Sequence, residues 1–211
     1  MTLTKKHILD WLKACAAEFE TQQDYLTDLD REIGDADHGL NMNRGFTKVI
    51  EKLPTFEAQP IGGVMKGTGM ALMSSIGGAS GPLYGTFFIR AATSTANAQE
   101  LDLAGLLKML EDGVAGIVMR GKAEPSDKTM CDTWWPALEA CKNAVEDRAD
   151  IGSALTAMVE AAEKGAKATI SMQARKGRAS YLGERSVGHQ DAGATSSLFM
   201  IKALSAVVNG G

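Results

Sequence analysis

"LAGLLKMLEDGVAGIV", residues 103–118, decides the fold. Leu103, Leu106, Leu107, Leu110, Val114 and Ile117 recur at the i, i+3, i+4, i+7 spacing of one helix face, with Glu111 and Asp112 opposite. Upstream, Ile8, Trp11, Leu12, Cys15, Phe19, Leu26 and Leu29 keep the same period. Downstream it returns in Trp134, Leu138, Cys141 and Val145, in Leu155, Met158, Val159 and Ala162, and in Leu198, Ile201, Leu204 and Val208. "GFTKVIEKL" and "GGVMKGTGMALMSSI" read as shorter, more buried helices. No stretch alternates as a half-buried strand does, and "TFFIRAATS" is the one ambiguous β-branched run. About eight amphipathic helices and no sheet predict an all-α protein. Pro54, Pro60, Pro82, Pro125 and Pro136 are expected at helix edges.

The 211 residues suit a single domain, 1–211, with a substantial core. Apolar residues at 45% and charged residues at 23% are the balance of a soluble globular protein. A net charge of −4 argues against a nucleic-acid partner, which requires a basic face. No run approaches the roughly 18 uncharged apolar residues of a membrane span. "MTLTKKHILDWLKAC" carries charge through its apolar pattern and does not read as a signal peptide. Cys15, Cys131 and Cys141 lack metal-ligand spacing and read as reduced thiols, so a cytoplasmic location is expected.

Chemistry concentrates in "REIGDADHGLNMNRG", residues 31–45, and the aspartate just before it. Asp30, Asp35 and Asp37 fall within eight residues, and so dense a cluster repels itself unless it holds a cation. An EF-hand is excluded: counted from Asp35, Leu40 stands where the loop needs glycine and Phe46 where it needs glutamate. Magnesium fits better, because it takes few carboxylates and shares its shell with phosphates. Three carboxylates suit two ions bridged by a polyphosphate better than one. The bland alternative is that the aspartates cap helix N-termini. A hard cation prefers oxygen to imidazole, so His38 reads as a polar contact or as a core histidine.

Three further stretches carry the same residue types. In "IGGASGPLYG", 76–85, Gly77 to Gly81 precede a helix start whose free N–H groups suit an anion; the alternative is an ordinary turn. No glycine–lysine–serine ending makes it a P-loop. Arg178, in "KGRASYLGER", has the fork to pair with a phosphate, and Asp191, in "QDAGA", stands at a helix start where its simplest role is a cap.

Taken in order, "GDADHGLNM", "GGASGPLYG", "SDKTMCD", "GRASYLGER" and "DAGATS" make the chain similar to one family, the nucleotide-binding L subunits of dihydroxyacetone kinases. Ser126, Cys131 and Ala192 depart from that pattern, where glycine, leucine and proline are frequent. The resemblance implies a closed antiparallel barrel of eight helices with nucleotide and metal at one end. It implies that Asp30, Asp35 and Asp37 hold two Mg²⁺ ions, and that His38, Gly39, Leu40, Asn41, Ala79 and Ser80 line the phosphates of ADP or ATP. Gly121 and Met130 would bracket the adenine, with Arg178, Asp191, Ala192 and Gly193 completing the site.

The chain length matches the free-standing, phosphotransferase-system version of the subunit, with no room for a triose-binding domain. In that version ADP remains bound as a cofactor, a phosphohistidine-carrying protein rephosphorylates it, and the phosphoryl group passes to dihydroxyacetone on a partner subunit. The chain would then be a phosphotransferase subunit of glycerol metabolism, active only with its partners. ADP with three aspartates carries roughly −6, which two magnesium ions reduce to about −2. No catalytic side chain is expected, because phosphoryl transfer needs positioning and charge neutralisation. A metal-dependent phosphohydrolase and a non-catalytic nucleotide-sensing subunit are the alternatives.

Overall fold

The computed structural model describes residues 2–210. Nine α-helices account for most of them: α1 (Lys5–Thr21), α2 (Gln23–Ile33), α3 (His38–Lys52), α4 (Ile61–Ser75), α5 (Ser80–Ser94), α6 (Leu103–Gly121), α7 (Cys131–Glu146), α8 (Ile151–Ala168) and α9 (Ala192–Asn209). The strands β1 (Leu3–Thr4) and β2 (Glu100–Leu101) form a two-residue antiparallel pair, with Leu3 opposite Leu101.

Eight of the nine helices close into a ring. Contacts run from α3 through α4, α5, α6, α7 and α8 to α9, and α1 joins α9 back to α3. Short connections force neighbours to run antiparallel. The starts of α3, α5, α7 and α9 therefore share one end, while those of α1, α4, α6 and α8 share the other. Bonds at the second end agree: Lys5 donates its N–H to Gln99, Ile61 to Ala98, and the Asn209 side chain reaches the Gly152 carbonyl. The remaining helix, α2, lies on α3 and α9 rather than in the ring.

Apolar stripes of all eight ring helices meet inside. Phe19, Phe46, Phe88 and Trp11 form a continuous aromatic chain, and Phe88 continues through Phe87 to Trp134, all fully buried or nearly so. Each such side chain contributes about 1.5–3 kcal/mol on burial. Small residues set the closest approach: a Cβ on Gly69 of α4 would stand 2.6 Å from the Gly85 carbonyl of α5.

The structure resolves one stretch that the sequence left open and differs from the sequence reading in three places. "TFFIRAATS" is helical and belongs to α5, because its β-branched residues are interleaved with core-facing Phe87, Phe88 and Ala91. The run from Ile8 to Leu29 is broken at Gln22, whose backbone leaves the helical region (φ −96°, ψ 10°) and turns α2 out of the ring. Pro136 is not at an edge but inside α7. The interruption it makes is matched by Gly165 of α8, where any Cβ would collide with the Asp132 carbonyl and lie 2.9 Å from the proline ring. Residues 174–194, whose polar sequence "ARKGRASYLGERSVGHQDAGA" reads as one long loop, contain a 3₁₀ stretch over Arg178–Ser186, kinked at Gly183, and the start of α9 at Ala192. Cys15, Cys131 and Cys141 are all buried and unpaired, and burial pushes their thiols up, to about 12 for Cys131 and about 11 for Cys141.

Candidate functional site

The end of the barrel where α3, α5, α7 and α9 start holds a cavity of about 440 Å³. That is within the usual range for a small-molecule site. Its walls include Asp30, Asp35, Asp37 and His38, Ala79 and Ser80, Gly121, Met130, Arg178, and Asp191 to Gly193. Four helix N-termini thus meet in one place. No side chain caps the first N–H groups of α5, so it presents them with the positive end of the helix dipole, whereas the first N–H of α7, that of Cys131, donates to Thr129 Oγ1 at 3.2 Å.

The three aspartates converge at one edge of this cavity, each offering an oxygen within 4.8 Å of the others. The cap reading applies to one of them. Asp30, from the end of α2, accepts the N–H groups of Asp37 at 2.9 Å and His38 at 3.2 Å through one oxygen, and so caps α3 from outside. Asp37 stands at the cap position but makes no cap bond, and Asp35 is exposed. Ala36 between them is left-handed (φ 57°), which turns both neighbours toward Asp30. An all-oxygen donor set with room for water or phosphate suits magnesium rather than a soft metal. Nη2 of Arg178 lies 3.0 Å from Asp35, so the guanidinium is already poised where anionic groups would gather.

Behind the carboxylates runs a buried polar chain. Ser80 Oγ is 3.2 Å from His38 Nδ1, His38 Nε2 is 2.8 Å from Ser196 Oγ, and Ser196 Oγ is 2.6 Å from the Tyr84 hydroxyl. Burial lowers the pKa of His38, against the opposing pull of Asp30 and Asp37, and favours the neutral ring. Burial likewise raises Tyr84, which stays a phenol. A neutral imidazole that donates to one serine and accepts from the other is a positioning element, and His38 is not turned toward the carboxylates as a ligand.

On the other wall Asp191 caps α9, its carboxylate accepting the Ala194 N–H at 2.7 Å. Burial pushes this acid up to about 6, with nearby Asp132 and Asp30 adding to the rise and Lys128 opposing it. Met130 packs beside Gly193, where an added Cβ would come within 3.6 Å of its terminal methyl.

Of the residues expected from the sequence, Gly39, Leu40 and Asn41 do not line the cavity. The reason is that α3 begins at His38, so these three form a helical turn and not a loop. Gly39 faces α2, where a Cβ would strike the Gln23 carbonyl. Leu40 is 50% exposed, and Asn41 is buried with Oδ1 accepting from Arg44. Sequence reasoning missed Arg120, Lys128 and Lys176, all on the wall. Arg120 and Lys176 look in the sequence like any surface cations; Lys128 stands inside the quoted "SDKTMCD" and carried a signal.

A closed helical barrel whose open end joins clustered carboxylates to converging helix N-termini defines a class, the all-helical barrel with a small-molecule cavity at one end. The DAK2 domain model matches residues 32–206, and the chain belongs to that family. It is 58% identical over 205 residues to the ADP-binding subunit DhaL of the PEP-dependent dihydroxyacetone kinase of Escherichia coli K12, covering 97% of this chain and 98% of that one. It is 39% identical over 204 residues to the corresponding subunit of dihydroxyacetone kinase 1 from Listeria innocua, covering 97% of each. Human triokinase/FMN cyclase is 31% identical over 191 residues, which are 88% of this chain but 32% of that one. Among solved structures, the dihydroxyacetone kinase of C. freundii in complex with AMP-PNP and Mg²⁺ superposes with a TM-score of 0.71 at 24% identity. The match covers 92% of this chain and 32% of that kinase, and it establishes the shared fold.

Proposed function

We propose that this chain, as one domain over 1–211, is the nucleotide-carrying subunit of a cytoplasmic dihydroxyacetone kinase of the phosphotransferase-system type. It receives a phosphoryl group on bound ADP from a phosphohistidine-carrying donor protein and passes it to dihydroxyacetone held by a separate kinase subunit. The observation that carries this reading is the convergence of Asp30, Asp35 and Asp37 within 4.8 Å at the edge of the cavity where four helices start. Similarity along the whole length of a relative named as an ADP-binding subunit supports the same reading. Among the described residues no helix is long and apolar enough to cross a membrane.

Asp30, Asp35 and Asp37 are the residues to hold two Mg²⁺ ions, whose charge would neutralise the polyphosphate and the charge developed in transfer. Ser80 and the uncapped start of α5 orient the phosphates, and His38 fixes the Ser80 hydroxyl. Arg178 pairs with a phosphate oxygen. Met130 and Gly121 flank the base, a role that suits a polarizable thioether. Gly39, Leu40 and Asn41 act through the first turn of α3, which holds His38 and Asp37 in place.

The test is reconstitution. The purified chain with ATP and Mg²⁺ in excess should not phosphorylate dihydroxyacetone, and activity should appear on adding the triose-binding subunit. Supplying the phosphohistidine donor should then make substoichiometric ADP sufficient for many turnovers. Robust triose kinase activity from the chain alone would refute the subunit reading. Rapid ATP hydrolysis without partners would favour the phosphohydrolase.

A further inference from the structure

One buried charge on the cavity wall has been given no role of its own. Lys128 is 1% exposed, yet its side chain ends among backbone carbonyls and not on a carboxylate. Nζ lies 2.8 Å from the carbonyl oxygen of Thr169, 3.1 Å from that of Met172, 2.7 Å from that of Ser186 and 2.5 Å from that of His189. An ammonium carries three N–H donors and no lone pair; a neutral amine would turn a lone pair onto one of these oxygens. Four inward-facing carbonyls are therefore a cage for a cation, and burying them without one would leave acceptors unsatisfied.

The cage joins two limbs of a segment held by polar ties, among them the ion pairs of Lys176 with Asp127 and Arg178 with Asp35, rather than by apolar packing. Between Met172 and Gln190 only Ala174 and Ser186 are buried, so this stretch has no apolar core of its own. Its other ties are polar: Arg175 donates its N–H to the Asp127 carbonyl, Ala174 to Ser186 Oγ and Gly188 to the Ile170 carbonyl. The base from which Lys128 reaches is itself fixed. The Asp132 carboxylate accepts the N–H groups of Ser126 and Thr129, and Lys128 sits in the left-handed region (φ 63°), a strained conformation that the surroundings must impose. The segment delivers Lys176 and Arg178 to the cavity, and its last residues lead into Asp191, whose N–H donates to Thr169 Oγ1.

We propose that Lys128 is a positioning residue, an internal cation whose carbonyl cage folds residues 169–190 over the cavity and thereby sets Arg178 and Asp191. The inference rests on the nucleotide reading for its binding readout and on no ligand for its structural one. In Lys128→Met the cage loses its cation while the stem is kept. Hydrogen exchange of the nucleotide-free protein should show the amides of Ala174, Gly188 and Asp191 losing at least tenfold protection, with α4 and α5 unchanged. ADP–Mg²⁺ should bind at least tenfold more weakly. Arg178→Ala, which weakens ADP binding in the native background, should cost nothing further in Lys128→Met, because the guanidinium is no longer placed. In Lys128→Ala, K⁺ or NH₄⁺ should restore protection of the segment, and choline should not.

Unchanged exchange in the segment, or strictly additive losses for Lys128→Met and Arg178→Ala, would overturn the proposal. If both lysine variants fail to fold, the unsubstituted protein decides it. A slowly exchanging, hydrogen-bonded Lys128 ammonium should be visible by ¹⁵N NMR, and its absence would sink the cage. If the unsubstituted protein binds no ADP, the nucleotide reading falls, while exchange and NMR still decide the role of Lys128.

Discussion

Replacing Asp191 by asparagine should make the ligand-free protein more stable at neutral pH, and the gain should vanish in acid. The carboxylate caps α9 by accepting the Ala194 N–H, a bond that an asparagine Oδ1 also makes. What the substitution removes is a half-buried charge on the cavity wall. The folded acid titrates at about 6 against 3.8 for the ordinary group, chiefly because burial disfavours the anion. Holding it ionised at neutral pH therefore costs about 3 kcal/mol. The sign follows from proton binding. Below pH 3.8 the group is neutral in both states; between 3.8 and 6 the native state keeps a proton that the unfolded chain has lost; above 6 the full cost is present. Stability from this group thus falls as pH rises through that window. Asp191→Asn should match the native protein near pH 4 and exceed it by up to about 3 kcal/mol at pH 7.5, roughly 6–12 °C in Tm for a chain of this size. Thermal unfolding in EDTA, over a pH series, measures the gap. A less stable variant at pH 7.5, or a gap that does not change with pH, would refute the reasoning. An acid kept ionised at such a cost on a cavity wall has work to do there, so the variant should also bind ADP more weakly.

Other expectations follow from the same geometry. Asp30→Ala, Asp35→Ala and Asp37→Ala should each abolish phosphoryl transfer in the reconstituted system, yet urea unfolding should separate them. Asp30→Ala leaves two N–H groups of α3 without their acceptor and should lose about 1–2 kcal/mol, while the other two stay within about 0.5 kcal/mol. Ser126→Gly should raise stability by about 1 kcal/mol, since Ser126 holds a left-handed backbone (φ 68°) that glycine adopts freely; an unchanged urea midpoint would contradict this. Ala192→Pro should be stabilising by about 0.5–1 kcal/mol, because Ala192 is the first residue of α9 and the extended Asp191 before it (φ −71°, ψ 128°) accepts a following proline. Leu40→Glu, on an exposed position next to the metal residues but off the cavity wall, should reduce transfer to the partner subunit more than ADP affinity. Equal losses in titration calorimetry and in the coupled assay would make Leu40 a support of the pocket.

The helical class was legible in the sequence because the apolar stripes repeat every three to four residues over most of the chain, and that local period needs no tertiary knowledge. Asp191 as a cap was legible for the same reason, being set by its own next three residues. Two departures from the family pattern also have local explanations: glycine is frequent at 126 because the backbone there is left-handed, and proline at 192 because a helix starts there. What tertiary structure alone decided is which residues face one another. Periodicity does not reveal that α3 begins at His38 and so turns Gly39 and Asn41 into the protein. Nor does it show that Asp30 spends one oxygen on the start of α3, or that Pro136 inside α7 lies against Gly165, where α8 comes closest. Lys128 is the clearest case. In the sequence it is one cation in a polar loop, and its four carbonyl partners lie 41 to 61 residues away. A charge can be buried among distant backbone oxygens only once the ring of helices has closed, because closure brings the end of α8, the start of α9 and the α6–α7 connection together.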